Sequence, residues 1–89
     1  MSKENLTQID IENWSFTLYE TADGKWIGEF VYSPYSYIDW NMLIELTDLE
    51  KTIAQNNRQY LIDLSEAIKN NYKNYLHRAL DRNNYHFNS

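Results

Sequence analysis

Two alternating runs meet across a four-residue break, and any fold of this chain has to accommodate both. Residues 13–20, NWSFTLYE, put Trp14, Phe16 and Leu18 on one side and Ser15, Thr17 and Tyr19 on the other. Residues 25–32, KWIGEFVY, set Trp26, Gly28, Phe30 and Tyr32 against Ile27, Glu29 and Val31. A period of two is the mark of a half-buried strand. Between the runs, TADG supplies Asp23-Gly24, a pair tolerant of positive φ. The two runs are therefore predicted to return on each other as a β-hairpin. Gly28 inside the second strand points to a bulge or to a close approach by another side chain.

Pro34 is expected to stop the second strand, because it cannot donate to a ladder and restricts Ser33 before it. A third alternating run comes next. Ile38, Trp40, Met42, Ile44 and Leu46 are separated by Asp39, Asn41, Leu43, Glu45 and Thr47. Thr47 and Glu50 then have capping-box spacing and predict a short helix from Asp48 to about Gln55, broken by Asn56 and Asn57. From Arg58 onward, Leu61, Leu64, Ile68, Tyr72, Tyr75 and Ala79 recur at intervals of three and four, widened by Leu76 and Leu80. The spacing predicts one long helix reaching Arg82. The leader, with Leu6, Ile9 and Ile11, reads as extended chain or as a short turn. The YHFNS end reads as a frayed tail or as a ring-rich anchor.

The expected fold is α+β: a three-stranded antiparallel β-meander packed against one short and one long C-terminal helix, in the order β-β-β-α-α. Its parts are a leader (1–12), the meander (13–47), a helical part (48–82) and a tail (83–89). At 89 residues it is one domain with a single sheet–helix layer pair. Without cysteine there is neither a disulfide nor a thiolate metal site. His77 and His86 have no ligand-like neighbours, so no metal or cofactor is expected. The polar N-terminus and the lack of a long apolar run imply no signal peptide and no membrane span, hence a cytoplasmic location.

Charge is unevenly spread. Residues 1–66 carry twelve acids and four bases, whereas residues 67–89 carry Lys69, Lys73, Arg78 and Arg82 against Asp81. The acidic bulk disfavours direct contact with nucleic acid and suits a basic protein partner. Simple solubility would explain the same acidity.

The segment FVYSPYSYIDW holds five rings. Phe30 and Trp40, like Trp14, Phe16, Trp26 and Ile44, are assigned to the core by their alternation. That assignment also argues against the tryptophans as carbohydrate platforms. Tyr35 and Tyr37 fall off the pattern beside Pro34, in the connection between strands, and have the character of interface anchors. Glu29, Asp39 and Glu45 are expected on the sheet face opposite the helices, where with Tyr35 and Tyr37 they would form an anionic, ring-bearing binding surface. The plain alternative is a solvated sheet face. A catalytic reading would use His77 with Asp81 at i+4 on the long helix, yet no nucleophile or glycine-rich oxyanion turn accompanies them.

In size, acidity, the ETADGKW hairpin and a helix ending in HRAL, the chain resembles small bacterial immunity proteins. These are the cognate inhibitors of contact-dependent and other polymorphic toxins, many of them nucleases. The resemblance implies a protein that neutralises a basic toxin domain by binding it, without chemistry of its own. A second reading is a homo-oligomeric structural or regulatory domain, with the open sheet face as self-interface and a homodimer as its simplest form.

Overall fold

The computed structural model describes residues 3–35 and 38–88, with residues 34, 35, 38 and 39 described by backbone alone. Six strands form one sheet: β1 (Glu4–Glu12), β2 (Phe16–Thr21), β3 (Trp26–Tyr35), β4 (Ile38–Glu45), β5 (Ala79–Leu80) and β6 (Tyr85–Asn88). Their spatial order is β5-β4-β3-β2-β1-β6. All neighbours are antiparallel except β1 and β6, which run parallel. Two helices, α1 (Asp48–Asn56) and α2 (Gln59–Asn70), lie between β4 and β5 in sequence. The class is α+β, but the three-stranded meander is overturned: the sheet is a six-stranded mixed half-barrel.

The predicted hairpin is present. Phe16 pairs with Phe30 and Leu18 with Gly28. Gly24 takes the positive φ of +88° that closes the turn, its N–H donating to the Thr21 carbonyl at 3.0 Å. Gly28 marks a close approach: a Cβ there would stand 2.5 Å from the Phe30 ring. Gly28→Ala is expected to destabilise the fold by about 1–3 kcal/mol, because a buried ring must leave its rotamer. Chemical denaturation measures this, and an unchanged midpoint would show that the ring has room to move.

Four boundaries differ from expectation. The leader is strand β1, disguised by a bulge. Gln8 pairs with Tyr19 and Asp10 with Leu18, so Ile9 is the extra residue and the alternation changes phase there. Pro34 does not stop β3. It lies where the β3–β4 register slips between Tyr32 and Tyr35, an irregularity that needs no proline N–H.

The long helix ends at Asn70, and residues 72–74 and 76–78 form 3-10 turns. One helix through Arg82 would keep Tyr72, Tyr75 and Leu80 on one stripe. Instead, Tyr72 and Tyr75 pack under the helices while Leu80 serves the other face of the sheet. The YHFNS end is not a frayed tail: Tyr85–Asn88 forms strand β6, whose Tyr85 and Phe87 pack on the far-side core as the ring-rich alternative has it.

The capping box is complete: Thr47 Oγ1 accepts from the Glu50 N–H at 3.1 Å, and Glu50 Oε1 accepts from the Thr47 N–H at 2.8 Å. Asn57 closes α1 through its own N–H, and its Oδ1 accepts from the Gln59 N–H at the start of α2.

The sheet has a core on each side. Under the helices, Phe16, Leu18, Phe30, Met42, Ile44 and Leu46 meet Ala54, Leu61, Leu64 and Ile68. On the far side, Leu6, Tyr19, Ile27 and Leu43 are buried against Leu80, Tyr85 and Phe87. The far face is therefore closed over by the chain's own C-terminal end and is not the open acidic face expected.

Chain length forces the curl. β5 and β6 lie at opposite ends of the strand order, yet only residues 81–84 join them. In a flat sheet they would stand about 24 Å apart, whereas the linking residues span at most about 18 Å. Tyr85 accordingly feels carboxylates from both sides. Burial first, then Glu4 on β1 and Glu45 on β4, push its hydroxyl above the usual tyrosine range.

Candidate functional site

The half-barrel has two unlike ends. One gathers the β2–β3 turn, the end of β4 and the start of α1. A groove of about 480 Å³ there is lined by residues that include Asp23, Trp26, Glu45, Asp48 and Lys51. Lys51 Nζ donates to the Gly24 carbonyl at 2.6 Å and lies 5.6 Å from the Trp26 ring centre. Trp26 Nε1 donates to Glu20 at 3.1 Å. Trp26 is thus partly buried and tied down at this end.

The opposite end carries rings. It is built from the β1–β2 turn, the last residues of β3, the first of β4 and the C-terminal end of α2. In the turn, the Ser15 N–H donates to the Glu12 carbonyl at 3.0 Å, which makes Trp14 its third residue. Trp14 has φ +62°, the only positive φ among the described residues other than glycine's, and is 79% exposed. Turns of this kind favour glycine or asparagine there, and a bulky residue is held under strain of about 1–2 kcal/mol. Lys69 Nζ, on α2, donates to the Trp14 carbonyl at 2.6 Å. The buried Ser65 hydroxyl donates to the Ser15 carbonyl at 3.0 Å. The buried Ser15 hydroxyl has no partner among the described residues. Two bonds from α2 thus clamp a turn that displays its ring to solvent.

Beside Trp14 lies a groove of about 270 Å³, lined by Trp14, Val31, Tyr32, Ser33 and Lys69. Tyr32 continues the ring cluster. Trp40, half exposed, meets it edge-on at 6.2 Å, and the Tyr72 ring lies 5.2 Å from it. The core assignment fails for Trp14 and Trp40 and stands for Phe16, Phe30 and Ile44. Trp14 sits in a turn instead of on strand β2, and Trp40 lies on β4 beyond the reach of the helices.

The expected binding residues are dispersed. The backbone of Tyr35 and Asp39 places them at the ring-bearing end, on either side of the β3–β4 connection. Tyr37 lies outside the described residues. Glu45 is at the other end, about 20 Å along β4 from residue 39. Glu29 is closed off on the far face, where it forms an ion pair with Arg82, whose guanidinium also covers the Phe87 ring at 4.6 Å. The structure brings together Tyr35 and Asp39 by backbone position, and neither glutamate joins them. Sequence reasoning misses Trp14 as a surface residue because it does not make the leader a strand. With the leader as β1, Asn13-Trp14 becomes the turn.

His77 is exposed in a 3-10 turn, so its expected helical i+4 relation to Asp81 does not exist. No group of three potential metal ligands occurs among the described residues. No helix of the described chain is long and apolar enough to cross a membrane.

Two arginines fix the frame of the half-barrel. Arg58 binds Asp10 and Glu12, which the β1 bulge turns toward the helices, at 2.8 Å each. Its hydrogen bonds hold the Asp10 carboxyl below the usual aspartate range. Arg78 grips both Glu50 carboxylate oxygens, at 2.6 and 3.1 Å, and the Glu45 carbonyl at 3.1 Å, which guides the chain from α2 to β5. Burial opposes the Glu50 charge, but the Arg78 bonds and the Thr47 N–H outweigh it and lower its pKa. Carboxyls lowered in the folded state lend stability at neutral pH that is lost as pH falls. The melting temperature should hold near neutrality and drop below about pH 4.5, the ordinary glutamate value. Glu50→Gln should be less stable at pH 7 and show a shallower acid slope in melts at several pH values. An unchanged slope would remove Glu50 from this account.

No protein-family model, curated protein or solved structure matches the chain.

Proposed function

We propose that the protein is a non-catalytic protein-binding inhibitor, of the immunity type its organisation resembles, acting in the cytoplasm on a basic toxin domain. The observation that carries the binding reading is Trp14, strained, clamped from α2 and 79% exposed. A folded chain that keeps a large ring in solvent at a cost in stability has the signature of a contact residue. The groove beside it, walled by Tyr32 and rimmed by Lys69, supplies the concave neighbour of such an anchor. A net charge of −5 would speed encounter with a basic partner. Tyr35 and Asp39, by backbone at the same end of the half-barrel, remain expected contacts, as does Tyr37, and Glu45 acts only through the long-range field.

The test is protection. The product of the gene adjoining this one is expressed in cells with and without the chain. Rescue of growth by the wild type, lost on Trp14→Gly with folding intact, is the expected result. A harmless neighbour, or full rescue by Trp14→Gly, would defeat the reading.

A further inference from the structure

The two edges of the sheet are treated differently. At the β1 edge, β6 covers residues 4–7. Beyond it the bulge at Ile9 distorts the strand, the Ile11 N–H donates to its neighbour Asp10 Oδ1 at 2.8 Å, and Arg58 Nη2 donates to the Ile11 carbonyl at 3.1 Å. Bulges and charged groups over edge amides are the ordinary means of preventing strand addition. At the β4 edge, β5 covers only Leu43 and Ile44, and Arg78 takes the Glu45 carbonyl. Among the described residues no strand pairs with that edge over residues 38–42.

The direction of the free groups is set by two bonds. The Leu46 N–H donates to the Trp26 carbonyl, toward β3, whereas the Glu45 carbonyl turns the other way to Arg78. Strand alternation then directs the N–H and C=O of residues 39 and 41 outward, and those of 40 and 42 toward β3.

We propose that this edge is a self-pairing surface, in which β4 strands of two copies add antiparallel about a two-fold axis at Trp40. In that register residue 39 pairs with Asn41 of the second copy, twice by symmetry, which satisfies the outward groups of both. The sequence IDWNM suits the axis: Trp40 meets Trp40 of the second copy, Ile38 stands opposite Met42, and the acid at 39 opposite an amide. Sliding the register by two residues would oppose residue 39 of both copies, like charge to like, or run the added strand into β5. Trp40, half exposed and braced edge-on by Tyr32, is the apolar centre. The contact rests on five residues a side, so it falls below the lower bound of about 1,200 Å² for standard interfaces and is concentration-dependent. It does not depend on the inhibitor reading, whose anchor is Trp14.

Sedimentation equilibrium on the full chain tests it between about 10 μM and about 1 mM, the span such small interfaces occupy. The mass should rise from the 10.7 kDa monomer toward twice that value. Asn41→Asp, at an exposed position, sets two like-charge pairs across the axis and should weaken association about tenfold, with partial recovery in high salt. Asn41→Pro removes the outward donor and should abolish association, while Trp14→Gly should leave it unchanged. Melting curves accompany each variant, and if the proline variant misfolds the aspartate variant decides. A monomer throughout the range, or dimers unaffected by Asn41→Asp, overturns the proposal.

Discussion

A chain ending at Arg78 should fail to fold cooperatively. The lost residues include β5 and β6, which pair with β4 and β1, and Leu80, Tyr85 and Phe87, which cover the far-side core. Leu6 and Ile27 are fully buried and Leu43 nearly so, and the truncation would open all three to water. At about 1.5–3 kcal/mol for each large apolar side chain, the loss is comparable with the whole stability of a domain this size, about 5–13 kcal/mol. A point change isolates the effect. Phe87 meets Tyr19 edge-on at 5.1 Å and lies under the Arg82 guanidinium. Because Phe87 is only partly buried, Phe87→Ala should cost about 2–3 kcal/mol, toward the low end for a phenylalanine. Circular dichroism and urea titration read both variants. A truncated chain that melts within a few degrees of the full one would show that these residues are a dispensable tail after all.

Trp14→Gly should separate stability from binding. At φ +62° glycine relieves the steric strain of a left-handed bulky residue, about 1–2 kcal/mol, and gives back about 0.5–1 kcal/mol in backbone entropy. The ring contributes little burial, being 79% exposed, and the Lys69 bond goes to the backbone carbonyl, which glycine keeps. The variant should therefore be as stable as the wild type or up to about 1.5 kcal/mol more so. Affinity for the partner should fall by about 2 kcal/mol or more, roughly thirtyfold. Core variants move the two readouts together, as Gly28→Ala should. Calorimetric titration against the partner, with melts alongside, distinguishes them. If Trp14→Gly loses stability and keeps affinity, the turn is a structural device and the binding surface lies elsewhere.

Local patterns are legible wherever a segment's neighbours in space are also its neighbours in sequence. The β2–β3 hairpin comes from alternation around Asp23-Gly24, and α1 from Thr47 and Glu50. β4 comes from the even-numbered row that starts at Ile38. Each is decided within about ten residues by backbone geometry and short-range hydrogen bonds. β1 is hidden because the extra residue at Ile9 shifts the phase of its apolar positions, and a period-two reading has no place for a phase shift. The candidate site suffers the same loss. Without β1, Trp14 counts as a strand residue, and a ring on a strand is assigned to the core.

The sequence by itself determined the α+β class, the hairpin and the capped short helix, and marked Gly28 as a bulge or a close approach; the structure decided for the approach and supplied the Phe30 ring. The tertiary structure alone decided the path of the chain beyond Asn70. A stripe at helical spacing through Leu80 is a sound local argument for one helix. Two nonlocal terms outweigh it: Glu50 draws Arg78 toward the end of β4, and the far face of the sheet has Leu6, Ile27 and Leu43 to bury. Helix propensity is worth only tenths of a kilocalorie per residue, whereas covering those side chains is worth several in sum. The C-terminal residues therefore leave the helix and cross the sheet as strands. That crossing fills the face where an acidic surface was expected and leaves the exposed rings at one end of the barrel.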